Sequence, residues 1–489
     1  MDGRTKESKS RKFWNFIDNI EGDKVVWIVV LLLVMISVLA IFSSTPLLKD
    51  GGKDRIDIIK DQLIVTGLGL GVIWAIYKLD SLKINTIKLF MFCSQLGFAF
   101  SFILLLILDL HLNLGFIKAE HINGAWRTLK VSGFQIHVFE FVKVAMVMYV
   151  AWACHNFKKD QELLAKGQES TVLTLANELG KTRYFAFLAK PFWKRAMYMY
   201  GPVGLICVMV LLGSGSSGLF IGAVLMATLL IGGIPFREAL IGGIAAIGLL
   251  LGGIAINKAS DGKVLGMFER FSTMESRVGA EYNTKRLSTL KPLSKEFYEE
   301  KDRIQQPYGA KIAIHEGGVA GKGSGNSTQK YIVSNIYGDY MFSFLIEEYG
   351  LWGACIVIIL YVSLLARGSQ IARMCTKEFT KLAVGGLTLL ITGQAFMHMF
   401  VNVDIGPMTG QTLPLVSHGA FAFLMFCIAF GIILNISKLT KNQMNLAQEQ
   451  AQPIYEREKD DIQASMDILD KLDSGEFDDS IDNLDDNNI

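Results

Sequence analysis

The sequence predicts an all-α polytopic membrane protein of about ten transmembrane helices, with one large extracytoplasmic loop. Three observations lead there. Hydrophobic residues make up 51% of the chain and charged ones only 19%, whereas a soluble domain averages roughly a quarter charged. The apolar residues gather in long runs. One charged stretch between runs, about 257–337, is far longer than a link between adjacent helices requires.

A spanning helix needs roughly 20 mostly apolar residues. Runs of that size lie near 25–45, 61–78, 88–110, 137–155, 197–213, 217–234, 238–256, 338–366, 380–402 and 413–436. The first is long for the apolar part of a cleavable signal and many more follow, so it reads as a retained helix. The sixth and seventh are split only by the short turn 232–237.

Lys and Arg set the orientation. The N-terminal tail, 1–24, carries Arg4, Lys6, Lys9, Arg11 and Lys12. The connection 156–196 carries Lys158, Lys159, Lys166, Lys181, Arg183, Lys190, Lys194 and Arg195, and Arg367, Arg373, Lys377 and Lys381 follow the eighth run. All fall on one side if the N-terminus is cytoplasmic; only 46–60, with Lys49, Lys53, Arg55 and Lys60, dissents. Ten spans over 25–437 place both termini in the cytoplasm and 257–337 outside. The tail 438–489 is acidic and poor in apolar residues towards its end, a composition expected to be disordered.

Net charge is +2, which points to no nucleic-acid partner. None of the six cysteines pairs at CxxC spacing, so neither a zinc site nor a disulfide framework is implied.

An ionisable group inside a spanning helix costs roughly 2.5–3.5 kcal/mol on insertion scales. The fourth run holds two, Glu140 and Lys143, at i, i+3 on one face. They form either a self-neutralising structural pair or a substrate-facing one. The predicted topology brings other polar groups to the same membrane face: Asp339 at the mouth of run eight, Gln394 and His398 on run nine, then Asn402, Asp404, Thr409, Ser417 and His418. Singly, each histidine fits a packing role as well as a catalytic one. Asp339 also suits the N-cap of the helix that follows it.

The long loop ends in Glu316-Gly-Gly-Val-Ala-Gly-Lys-Gly-Ser-Gly-Asn-Ser-Thr-Gln-Lys330. Backbone N–H groups in such a run suit an anion, with Lys322 and Lys330 supplying charge. It is not a P-loop: Glu316 stands where the first glycine belongs and Gly323 where Ser or Thr belongs.

This segment, with Gly338-Asp-Tyr-Met-Phe342 and Glu347-Glu-Tyr-Gly-Leu-Trp-Gly353, resembles a signature of the SEDS family (FtsW/RodA/SpoVE) of cell-wall glycan polymerases. Gly406-Pro-Met-Thr-Gly-Gln-Thr-Leu-Pro-Leu-Val-Ser417 is similar to the family's second signature, and its wording leans toward the cell-division branch over the elongation branch. Glu140-Phe-Val-Lys143 resembles the family's Glu-x-x-Lys. The resemblance implies a bacterial inner-membrane glycosyltransferase, at the septum for the division branch, that polymerises lipid II beside a class B penicillin-binding protein and other divisome proteins. It implies Asp339 as the catalytic aspartate. Glu140, Lys143, Lys322, Lys330, Ser327, Gln394, Thr409, Ser417 and His418 are the expected substrate-binding residues. No cofactor is called for; a divalent cation is the alternative to the lysines as the charge facing the pyrophosphate. A lipid flippase and a recruiting scaffold are the competing classes. The chain departs from the family at Val138-Phe139, within 213–218, and at Ser417-His-Gly-Ala-Phe-Ala422.

Overall fold

The computed structural model describes residues 21–45, 55–82, 85–112, 117–122, 125–131, 134–244, 294–333, 336–406 and 409–473, with single positions 115, 248 and 252. The basic N-terminal tail, most of the dissenting loop, nearly all of run seven beyond 244, all of 253–293 and the last residues of the acidic tail lie outside the described residues.

Where they are described, each of the ten runs lies mainly on a helix. In chain order these are α1 (Lys24–Ser44), α2 (Arg55–Tyr77), α3 (Thr86–Asp109), α4 (Val138–Ala165), the short α5 (Thr174–Gly180), α6 (Pro191–Gly213) and α7 (Gly215–Ile231). A helical stretch at 236–244 follows, then α8 (Lys295–Gly317), α9 (Met341–Met374), α10 (Glu378–Asn402) and α11 (Ala420–Asp473). Seven helices among the described residues are long and apolar enough to cross a membrane. Helix α2 is long but opens with Arg55, Asp57, Lys60 and Asp61, and α7 is short at 17 residues.

Four departures from the sequence reading have physical causes. Residues 117–137, read only as a connection, form a small antiparallel meander: β1 (Ile117–Ile122), β2 (Ala125–Val131) and β3 (Phe134–His137). Ile117 faces Val131 across the first pair and Val131 faces Phe134 across the second. Strand β3 runs directly into α4, which fixes where Glu140 begins its helix. The tail expected to be disordered is helical as far as Asp473, consistent with its richness in Ala, Gln, Glu, Lys and Leu. Run ten becomes helix only at Ala420, because 413–419 contains Pro414 and Gly419. Run eight is broken at Gly350, whose φ of 67° interrupts α9.

Helix α4 lies deepest: most of its apolar stretch is buried, whereas α3 and α9 bury only about a third of theirs, so α4 faces protein where α3 and α9 face their surroundings. It packs on α3, α7 and α10, and α10 packs on α9. The two charges of run four therefore sit on the helix least able to reach water, and their neighbours must compensate them. The chain divides into two units, Met1–Ser437 and Lys438–Ile489, and the candidate site belongs wholly to the first.

Candidate active site

The compensation is complete for Lys143. An ammonium has three donors, and its Nζ donates to Glu140 Oε1 at 2.7 Å, Gln394 Oε1 at 2.6 Å and Gln411 Oε1 at 3.0 Å. Its side chain is 1% exposed and that of Glu140 15%. Gln411 Nε2 continues to Ser217 Oγ at 2.9 Å, and Gln394 Nε2 to the Thr412 carbonyl at 3.0 Å. The node thus joins α4, α10, α7 and the loop 409–419. One acceptor is left over: Glu140 Oε2 is buried and has no hydrogen-bond partner among the described residues. Thr409 is buried at the same junction, its carbonyl accepting from Ser216 Oγ at 3.2 Å.

The backbone leading to Asp339 is clamped from outside its own element. Three consecutive carbonyls are engaged. That of Tyr337 accepts from the His418 N–H at 2.9 Å, that of Gly338 from Ser417 Oγ at 2.7 Å, and that of Asp339 from Asn402 Nδ2 at 3.1 Å. The start of α9 is held in the same way. The helix cap is Tyr340 and not Asp339, and it makes no side-chain cap bond. Two groups of α10 supply the missing acceptors for the first N–H groups. Asn402 Oδ1 accepts from the Ser343 N–H at 3.0 Å and from Ser343 Oγ at 2.8 Å, and His398 Nε2 faces the Phe342 N–H at 3.4 Å. Because His398 Nδ1 lies 2.8 Å from the Gln411 carbonyl, which only accepts, the network assigns the proton to Nδ1 and leaves Nε2 as the acceptor. Asp339 itself is partly buried, on a backbone held from three sides.

The structure gives Ser417 and His418, expected on the substrate, a different duty. Ser417 Oγ accepts from the Leu413 N–H at 2.9 Å while donating to Gly338. His418 stacks edge-on against Tyr337, ring centroids 5.6 Å apart, with Nδ1 3.1 Å from Gln62 Oε1. Both position the segment that carries Asp339.

The glycine-rich run is an anion cradle, as its composition predicts, but the anion is the protein's own Glu347. Its carboxylate accepts from Ser327 Oγ at 2.5 Å, from the Thr328 N–H at 2.8 Å, from Thr328 Oγ1 at 3.0 Å and from Lys322 Nζ at 2.9 Å. Glu348 beside it accepts from Ser43 Oγ at 2.7 Å and the Gly325 N–H at 3.0 Å. The N–H groups of Lys322 and Gly323 donate to the carbonyls of Glu347 and Glu348, both at 2.9 Å, closing the end of the first half of α9. Gly321 (φ 78°) and Gly350 (φ 67°) meet face to face here. A Cβ on Gly350 would strike the Val319 carbonyl and Gly321 N, and one on Gly321 the Glu348 carbonyl. Lys330 is buried, its Nζ donating to the carbonyls of Gly325 at 2.7 Å and Ser43 at 3.2 Å.

Lys322, Lys330 and Ser327 therefore hold a loop together and are not gathered with Lys143. Lys322 also pairs with Glu316. Burial lowers the Lys322 pKa, but its hydrogen bonds and charge contacts with Glu316 and Glu347 outweigh that and raise it. The same hydrogen bond from Lys322 holds Glu316 below the ordinary carboxylate range.

Of the residues expected at the site, the structure joins Glu140, Lys143 and Gln394 directly. Thr409, Ser417 and His418 lie on the loop that carries Gln411, and Asp339 on the backbone that this loop clamps. Gln411 and Asn402 are among the bonding groups to which the sequence reading assigned no role. A signal for Asn402 exists: Gln394, His398 and Asn402 recur every four residues, one polar stripe on an otherwise apolar helix. Among the described residues no three His, Cys, Asp or Glu side chains gather as a metal site.

Comparison with known proteins places this geometry. The chain is 37% identical over 131 residues to a probable peptidoglycan glycosyltransferase FtsW of Hahella chejuensis, 26% of this chain and 33% of that protein. It is 38% identical over 133 residues to the peptidoglycan glycosyltransferase MrdB of Escherichia coli (strain K12), 26% of this chain and 35% of that protein. The matches thus span about a third of those relatives' length. In fold, the chain is similar to one from a structure on the coordination of polymerization and crosslinking by a peptidoglycan synthase complex. The TM-score is 0.55 at 18% identity, over 86% of this chain and 98% of that one. The model of the cell cycle protein family FtsW/RodA/SpoVE matches residues 23–442, nearly the whole helical bundle with the Lys143 node and the clamped Asp339 segment inside it, and the chain belongs to that family.

Proposed function

We propose that this protein is a peptidoglycan glycosyltransferase that polymerises lipid II into glycan strands, with Asp339 as the general base. The observation that carries the reading is the clamp on residues 337–339: three neighbouring carbonyls anchored by His418, Ser417 and Asn402. A partly exposed aspartate on a backbone held this firmly suits proton abstraction, since a base must come within about 2.6–3.2 Å of the hydroxyl it deprotonates. Asp339 takes the proton of the acceptor's GlcNAc 4-hydroxyl. The oxygen attacks the anomeric carbon of the donor, the bond from that carbon to the pyrophosphate oxygen breaks, and undecaprenyl pyrophosphate leaves with inversion.

Neutralising the leaving group is the harder assignment. Lys143 has its three donors engaged and Lys330 is buried on carbonyls. Lys322, with a side chain 23% exposed, is the cation best able to exchange a protein carboxylate for a phosphate. A divalent ion bound to the incoming pyrophosphate would do the same work as part of the substrate. Glu140, with one carboxylate oxygen unused, suits a sugar hydroxyl.

The basic residues of the connections support an orientation in which this end of the bundle lies at the outer leaflet, where the substrate's head group would be. Thr409-Gly-Gln-Thr-Leu-Pro414 supports the division branch, while the relatives include both FtsW and MrdB proteins. The partner would be a class B penicillin-binding protein, by analogy with the synthase complex of similar fold. The rival reading, a flippase, calls for polar groups through the membrane depth. On α4 no Asp, Glu, Lys, Arg or His lies between Lys143 and His155, which favours the polymerase. The test is purified protein with its penicillin-binding partner and fluorescent lipid II in vesicles. Long glycan products are expected; transfer of lipid II between leaflets without products would overturn the reading.

A further inference from the structure

Away from the site, the chain leading into α6 has a composition that neither the fold nor the chemistry above uses. From Leu179 to Arg237 there is no Asp or Glu, while Lys181, Arg183, Lys190, Lys194 and Arg195 crowd the first part of that stretch. Interleaved with them are Tyr184, Phe185, Phe187, Phe192 and Trp193, exposed by 89%, 46%, 39%, 48% and 42%. Four of these rings form one contiguous patch: Phe185 to Phe187 at 6.3 Å, Phe187 to Trp193 at 5.0 Å and Trp193 to Phe192 at 5.6 Å between centroids.

The cations divide by the partner each finds. Lys194 turns inward to Asp160 at 2.6 Å, both side chains at most 1% exposed, and anchors the segment to α4. Arg195 pairs with Glu238 at 2.6 Å and Lys181 with Glu178 at 2.8 Å. Arg183 and Lys190 are exposed and have no partner among the described residues. Aromatic rings and unpaired cations beside the first turn of an apolar span are the chemistry of the bilayer interface.

We infer that residues 181–193 form a membrane-surface foot, whose aromatic patch enters the acyl boundary and whose Arg183 and Lys190 bind the head groups of anionic phospholipids. The occupant is lipid of the same bilayer that α6 enters, because the patch is continuous with that span and the stretch offers no acid to satisfy the two cations. An anionic leaflet enriches such lipid on the order of fivefold per cation, so two cations acting together predict roughly 30-fold local enrichment.

The test uses the full chain in nanodiscs, with Tyr184→Cys carrying a fluorophore in a background where the exposed Cys93 and Cys355 are replaced by Ser. Doxyl-labelled phosphatidylglycerol and doxyl-labelled phosphatidylcholine are compared as quenchers at equal mole fraction, with aqueous iodide as the water-side probe. The inference predicts weak iodide quenching and several-fold stronger quenching by the anionic lipid. It predicts that R183Q/K190Q brings the two lipids to equality, while K181Q, whose cation is already paired, leaves the preference in place. Strong iodide quenching overturns the foot. Equal lipid quenching in the parent protein, or a preference that K181Q removes as fully as R183Q/K190Q, overturns the head-group sites.

Discussion

Replacing Asn402 by Ala tests the clamp without touching the carboxylate it serves. Asn402 makes four bonds: Oδ1 accepts from Ser343 N–H and Oγ at 3.0 and 2.8 Å, and Nδ2 donates to the carbonyls of Asp339 at 3.1 Å and His398 at 2.8 Å. It is 1% exposed, so water cannot easily replace it. Two of its partners are buried groups that lose their bond, the Ser343 N–H and Oγ, at about 1–3 kcal/mol each. Allowing for relaxation and for what Ser343 Oγ recovers by rotating, the loss of stability should be on the order of 2–4 kcal/mol. The functional effect is separate. The Asp339 carbonyl is freed at the residue proposed as the base, and a misplacement of about 1 Å can cost on the order of a hundredfold in rate. The assay is steady-state polymerisation of fluorescent lipid II by the complex, with thermal denaturation of the same preparation. The expected result is a fall in kcat of tenfold or more with KM little changed, together with a lower Tm. A folded N402A protein with kcat within twofold of the parent would refute the reasoning, because the clamp would then have no bearing on the base.

Other outcomes follow from the same contacts. Lys143→Met removes the donor from Glu140, Gln394 and Gln411 at once, and breaking a buried pair this way costs about 3–5 kcal/mol; E140L/K143M should recover part of the lost Tm in detergent, and a single variant as stable as the parent would exclude the compensated node. Gly350→Ala places a Cβ against the Val319 carbonyl at a φ of 67°, so limited proteolysis should cut within 317–325 faster than in the parent. Glu316 has its pKa depressed by Lys322, so its contribution to stability is present above the ordinary glutamate value and is lost as pH falls through the lower folded value. Loop protection should accordingly be flat at neutral pH and weaken in acid; Glu316→Gln should already show reduced protection at neutral pH and little further loss on acidification.

How far the sequence carried the reading differs from one element to the next. The spans were legible because membrane insertion imposes a length and an apolar content that survive without tertiary information. That Glu140 and Lys143 would need compensating partners was legible because charged groups on apolar helices demand them, and Gln394 is one of those partners. The meander at 117–137 was missed although Asn123-Gly124 and Ser132-Gly133 separate its strands in sequence, the signature of hairpin loops. The duties of Lys322, Lys330, Ser327, Ser417 and His418 were not legible for a different reason. Each meets a partner that the fold alone delivers: Glu347 for Ser327, the Ser43 carbonyl for Lys330, Gly338 for Ser417. A glycine-rich run announces that an anion will be cradled; it does not announce that the anion lies some twenty residues further along the same chain.

The account rests on the Asp339 carboxylate acting as a base on a fixed backbone, and one rate tests it. Asp339→Asn keeps the size of the side chain and leaves the bonds of Asn402, Ser417 and His418 to the backbone intact, so the protein should fold and bind lipid II as before. With saturating fluorescent lipid II and the penicillin-binding partner present, its polymerisation rate should fall by about 10²–10⁴-fold, the range that a general base contributes. Glycan strands produced by the Asn variant at the parent's rate would contradict the account.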